Sequence, residues 1–161
     1  MSVTVRLTEQ EMGIAATIGI YRYLDAMRKN RRQTHGKTAR GRWETDIEGC
    51  CTELAFAKWV GRYWSGALRA NARRGDVGGF EVRSCPLDDA RLLLHAADAD
   101  AAPFVLVTGT APELTLRGWI LGRDGKKTQW WSAPDGRRPC YAVPQAALTP
   151  MEELPLTARR L

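Results

Sequence analysis

The sequence predicts an α+β domain in which a mixed β-sheet is flanked by helices. Two observations carry this. The first third of the chain repeats apolar residues at helical spacing, whereas from residue 76 onwards short apolar runs alternate with turn signals. A chain of 161 residues with 44% hydrophobic and 26% charged side chains suits one domain with one core, and excludes a fibrous or disordered chain.

Val3 to Leu7 alternates apolar and polar residues as a strand does, and Thr8-Glu9-Gln10-Glu11 has the form of a capping box that opens a helix near Glu9. Met12, Ala16, Ile20, Tyr23, Leu24 and Met27 follow at helical spacing, so this face is expected to be core as far as about Lys29. Between Arg28 and Arg42 the chain is basic and almost devoid of apolar residues, which predicts an exposed loop. Arg31, Arg32, Lys37, Arg40 and Arg42 are its candidate phosphate contacts, because such cations neutralise nucleic-acid backbone charge without reading bases. Gly36-Lys37-Thr38 resembles the end of a nucleotide-binding loop, but Arg31 stands where that motif needs glycine.

A second helix is expected from Asp46 to about Trp64, with Ile47, Cys50, Leu54, Ala57, Gly61 and Trp64 on one stripe and Glu48, Glu53 and Lys58 as charged exceptions. The stretch from Ala70 to Gly75 reads as a turn. Strands are then predicted at Phe80–Ser84, Arg91–His95, Phe104–Thr108, Leu114–Leu121, Thr128–Trp131 and Tyr141–Val143, separated by Pro, Gly and Asp-Gly signals. The tail from Pro144 reads as a short helix and a frayed end. Three segments result: residues 1–45 with the first helix and basic loop, a core at 46–148, and a tail at 149–161.

Cys50, Cys51, Cys85 and Cys140 lack both zinc-ligand spacing and the density of a disulfide scaffold, and read as reduced thiols. His95 with Asp98 and Asp100 reads as a polar loop in preference to a metal site. Trp119, Trp130, Trp131 and Tyr141 read as sheet packing, with an exposed subset able to stack on unpaired bases. The stretch Met12–Leu24 is too short for a membrane span and contains Arg22, and no secretory leader is evident, so a cytoplasmic protein is expected. A net charge of +6 favours polyanionic partners.

The chemistry concentrates at residues 76–83. In a strand Glu81 and Arg83 share a face, while Gly78-Gly79 permits a turn that brings Asp76 beside Glu81. Two carboxylates on one cation suit Mg²⁺, which prefers oxygen ligands and takes one or two carboxylates with waters and phosphate.

The run Asp76-Val-Gly-Gly-Phe-Glu81-Val82-Arg83 resembles the acidic signature of the PD-(D/E)XK nuclease superfamily, of restriction-endonuclease-like fold. Glu48 to Lys58, with Glu53, is similar to the first core helix of that superfamily, and Phe104–Val107 and Leu116–Ile120 to later strands of phage-associated and restriction-type members. The resemblance covers roughly residues 46–148 and implies hydrolysis of DNA phosphodiester bonds with Mg²⁺ or Mn²⁺. It implies Asp76 and Glu81 as metal ligands, the Val82 carbonyl as a further one, and Glu53 as ligand of a second metal or orienter of water. It also implies DNA as partner, allows homo-oligomer formation, and points to a phage or mobile-element type. Arg83 occupies the position of the usual lysine, and Gly75 that of the usual proline. An arginine cannot act as a base, so Arg83 is expected to act through charge. The same replacement opens the alternative of a catalytically impaired DNA-binding or phage interaction protein that has kept the fold.

Overall fold

The structure, a computed structural model, describes residues 2–29, 41–66, 75–133 and 138–154. It is of the α+β class. A four-stranded sheet runs in the order β1 (Val3–Arg6), β5 (Glu113–Leu121), β4 (Pro103–Thr110), β2 (Glu81–Cys85). β1–β5 and β5–β4 are antiparallel, and β4–β2 is parallel. A smaller antiparallel sheet joins β3 (Leu92–Leu94), β7 (Cys140–Val143) and β6 (Trp131–Ser132).

The two long helices, α1 (Glu9–Arg28) and α2 (Arg42–Val60), belong to a core built on one face of the main sheet. There Ala55, Phe56 and Val60 of α2 join Val105, Val107, Leu114 and Leu116 in one buried cluster. The second cluster covers the other face, where Phe104, Leu106 and Ile120 meet Leu92, Leu94 and Val143 of the small sheet. Helices therefore flank the main sheet on one side and strands on the other.

The expected capping box is present: the Thr8 hydroxyl accepts from the Glu11 N–H at 3.2 Å, and the Glu11 carboxylate accepts from the Thr8 N–H at 2.7 Å. The core face of α1 differs from the apolar stripe. Leu24 and Met27 are 43% and 56% exposed, while Ala15, Gly19 and Asp25 are buried. The reason is close helix packing, since a Cβ on Gly19 would stand 2.7 Å from the Ile47 Cα of α2. Small residues win that seam, and the larger apolar side chains are pushed to its rim.

Helix α2 begins four residues before the expected Asp46 and stops at Gly61, whose φ of 70° forms a left-handed cap. Trp64 therefore lies beyond the helix. The predicted strand at Thr128–Trp131 is a 3-10 turn over Thr128–Trp130 followed by β6. The short helix expected in the tail is two 3-10 turns, Gln145–Ala147 and Met151–Glu153. In β5 the register shifts opposite Leu106/Val107, so that Leu116 and Trp119 both serve the helix-side core while Ile120 serves the other.

All four cysteines are free, with Cys50, Cys51 and Cys140 buried. Burial pushes the Cys50 thiol up to about 12 and that of Cys51 to about 11, which leaves both protonated and unreactive. No helix among the described residues is long and apolar enough to cross a membrane.

Candidate functional site

Asp76 sits in a tight turn before β2, built by glycines. The Asp76 N–H donates to the Phe80 carbonyl at 2.7 Å, and Val77 and Phe80 form an isolated bridge. Gly75, with φ of 59°, approaches the same segment so closely that a Cβ would stand 2.5 Å from the Phe80 carbonyl oxygen. Gly78 has φ of 55° and lies under Arg62, whose guanidinium donates to the Gly78 carbonyl. The turn folds Asp76 back along the strand, where its Oδ2 accepts from the Val82 N–H at 2.8 Å.

This bond orients more than one group. β2 is an edge strand, and in a strand the N–H and C=O of one residue point to the same side. The Val82 carbonyl therefore faces the outer edge together with its N–H, beside Asp76. The Val82 side chain packs on the helix-side core, so Glu81 and Arg83 project to the opposite face. Arg83 Nη1 lies 3.3 Å from Glu81 Oε2, and Nη2 lies 3.4 Å from Asp98 Oδ1. The Arg83 guanidinium stands 5.0 Å from the Phe104 ring centroid.

Glu53 approaches from the helix side and is 7% exposed. Arg22 of α1 holds it with two parallel bonds, Nη1 to Oε1 at 2.6 Å and Nη2 to Oε2 at 2.8 Å, and the Trp64 indole donates to Oε2 at 2.9 Å. The sequence reads Trp64 as part of the stripe of the second helix and marks neither side chain as a partner of Glu53. Arg22 looked like an interruption in an apolar stretch, yet it lies one helical turn from Gly19 on the buried seam, and that spacing is the signal that would have found it.

The electrostatic balance at Asp76 is negative. Burial first, then the Glu53 charge, lift its carboxyl to about 7 against the opposing Val82 hydrogen bond, with Glu81 adding to the rise and Arg83 resisting it. Arg22 keeps its charge: burial works against it, but the Glu53 hydrogen bonds and charge outweigh that and push its pKa up, holding it protonated. Two carboxylates thus act on a third that is itself poorly hydrated, and together these effects hold the Asp76 carboxyl toward its neutral form.

The donor set fits a hard divalent ion in part. Asp76, Glu81 and the Val82 carbonyl are all oxygen donors around the start of β2, which suits Mg²⁺ or Mn²⁺ completed by water and phosphate. Among the described residues no three His, Cys, Asp or Glu side chains make a ready metal-binding group. Glu53 has about four lone-pair sites and three are already engaged, so it reaches an ion only through the last one or by loosening Arg22.

Of the basic set, Arg31, Arg32, Lys37 and Arg40 lie outside the described residues, as does the side chain of Arg42, whose backbone opens α2. The turn predicted at Ala70–Gly75 falls outside them too, except for Gly75. His95 lies in a loop, its N–H donating to Asp98 at 2.8 Å and its ring 3.1 Å from the Pro139 carbonyl. Comparison with protein-family models, with curated proteins and with solved structures finds no match to this chain.

Proposed function

We propose that this chain is a divalent-metal-dependent nuclease of PD-(D/E)XK type, hydrolysing phosphodiester bonds in DNA. The observation that carries the reading is the arrangement at the start of β2, where Asp76 is tied to the Val82 N–H within the fields of Glu53 and Glu81. Asp76, Glu81 and the Val82 carbonyl would hold Mg²⁺ or Mn²⁺. When bound, the cation activates water for attack and offsets charge on the phosphate.

The remaining work belongs to the protein's own groups. Arg83, held between Glu81 and Asp98, presents a fixed cation that can grip the scissile phosphate. Glu53, clamped by Arg22 and Trp64, sets the negative field on Asp76 and keeps a lone pair for a water or a second ion. The basic stretch from Arg28 to Arg42 would neutralise DNA phosphates.

Incubation of labelled duplex and single-stranded DNA with Mg²⁺ or Mn²⁺ tests this. Cleavage by the wild type that is lost in Glu81→Ala is expected; no cleavage by the wild type under any of these conditions, or unaltered cleavage by Glu81→Ala, refutes it. A second reading, a nuclease fold that binds DNA or a phage partner without cutting, is favoured by one feature: Arg83 cannot release a proton. Salt-sensitive DNA binding without metal-dependent cleavage would select it.

A further inference from the structure

A cleft of about 430 Å³ opens at the far end of β5, lined by Trp119, Ile120, Asp124, Lys127, Trp130 and Thr149 among others. Its volume lies within the range of small-ligand clefts, about 300–1,000 Å³. Two indoles form part of its wall, and Lys127 Nζ lies over the Trp130 ring at 5.2 Å from its centroid, so a base stacked on that face takes the place of this cation. Arg123, Asp124 and Lys127 are exposed on the same short connection after β5.

We propose that this cleft receives an unpaired base of a single-stranded DNA segment, with Trp130 as the stacking surface and Lys127 as the contact to a neighbouring phosphate. The chemistry of the wall selects this occupant. A base needs a π face and an acceptor for an N–H on its pairing edge, which Trp130 and Asp124 offer, and its backbone needs a cation at the rim. Stacking of this kind tolerates any base, because every base has a π face. A base in an intact duplex is already stacked on its neighbours and cannot enter.

The cleft also has a defined place relative to the acidic site. Ile120 in its wall pairs with Phe104 of β4, which pairs with Glu81 of β2. Two strand spacings of about 4.8 Å put the Cα atoms of Ile120 and Glu81 roughly 10 Å apart along one ladder row. An unstacked strand is longer per nucleotide than the rise of about 3.4 Å of one duplex strand, so this distance is spanned by at most about three nucleotides. The proposal rests on the DNA reading above, and a strand held in the cleft would be anchored a few nucleotides from the bond presented at Glu81.

The test is fluorescence anisotropy of the full chain with a labelled single-stranded oligonucleotide, the matching duplex and a free deoxymononucleotide as competitor, in chelator without divalent metal. Trp130→Ala is expected to weaken single-strand binding by roughly 5- to 100-fold, with most of the affinity restored in Trp130→Phe. Because Trp130 is half-buried, Lys127→Gln at an exposed position provides a variant that leaves the core untouched. It is expected to reduce the salt slope of single-strand binding by about 0.7. Single-strand binding equal to wild type in both Trp130→Ala and Lys127→Gln overturns the proposal, as does a mononucleotide that binds as tightly as the strand. If duplex cleavage persists through that result, the cleft reading fails alone. Single-strand binding that depends on Trp130 without any metal-dependent cleavage leaves the cleft standing and removes the nuclease; a wild type that binds neither form of DNA removes both.

Discussion

Arg22 and Glu53 are joined by two parallel hydrogen bonds, at 2.6 and 2.8 Å, that tie the first helix to the second across a seam lined by Ala15 and Gly19. The pair joins packing to site electrostatics, since the carboxylate it holds is the largest charge acting on Asp76.

Removing one partner strands the other in a poorly hydrated place. Arg22→Ala or Glu53→Ala is expected to lower stability by about 3 kcal/mol, read as a lower urea midpoint at unchanged slope. The double substitution Arg22→Met/Glu53→Leu is expected to recover most of that loss, because no charge is left unpaired. A double variant no more stable than the singles would show that the pair is not coupled in this way.

Asp76 makes stability depend on pH. Its carboxyl rises from an ordinary value of 3.8 to about 7 in the folded chain, so between these values the folded state binds more protons than the unfolded one. Stability contributed by this group is therefore present at low pH, falls as pH rises from about 4 to about 7, and levels off above that. Urea unfolding of the metal-free protein across this window, compared with Asp76→Asn, isolates the effect. The variant is expected to gain on the wild type by a few kcal/mol as pH rises, and a constant difference would rule the shift out. Under the metal-site proposal, Mg²⁺ affinity rises over the same range, because the ion displaces the proton.

Arg83 separates charge from proton transfer. If the guanidinium acts only as a fixed cation, Arg83→Gln lowers cleavage by about 100-fold or more, while Arg83→Lys stays within about tenfold of wild type. A new ionisation in the pH dependence of kcat/KM of Arg83→Lys is expected, since lysine titrates and arginine does not. Cleavage that appears in Arg83→Lys and is absent from the wild type would identify an impaired nuclease instead.

Two glycines of α1 are expected to respond in opposite directions. A Cβ at Gly13 meets nothing within 4 Å, so Gly13→Ala gains about 0.5–1 kcal/mol from helix propensity. At Gly19 the same methyl would meet the α2 backbone at 2.7 to 2.9 Å, so Gly19→Ala is expected to be destabilising by about 1–3 kcal/mol. Thermal melts of the two variants decide the point, and similar shifts in both would show that the helices do not pack at Gly19.

Local chemistry is what made parts of this protein readable from the chain. The capping box at Thr8 and Glu11, the order of helices and strands, and the shared face of Glu81 and Arg83 follow from neighbours a few residues apart, where backbone geometry sets which groups can meet. The Gly78-Gly79 turn was legible for the same reason, and with it the return of Asp76 toward β2. Relations across the fold were decided only by tertiary packing. The buried face of α1 went to Ala15, Gly19 and Asp25, against the apolar stripe, because helix α2 approaches too closely at Gly19 for a larger side chain. That packing placed Arg22 on Glu53, carried Trp64 from beyond the end of α2 onto the same carboxylate, and set Glu53 beside Asp76, where burial and a like charge lift the Asp76 carboxyl toward neutrality.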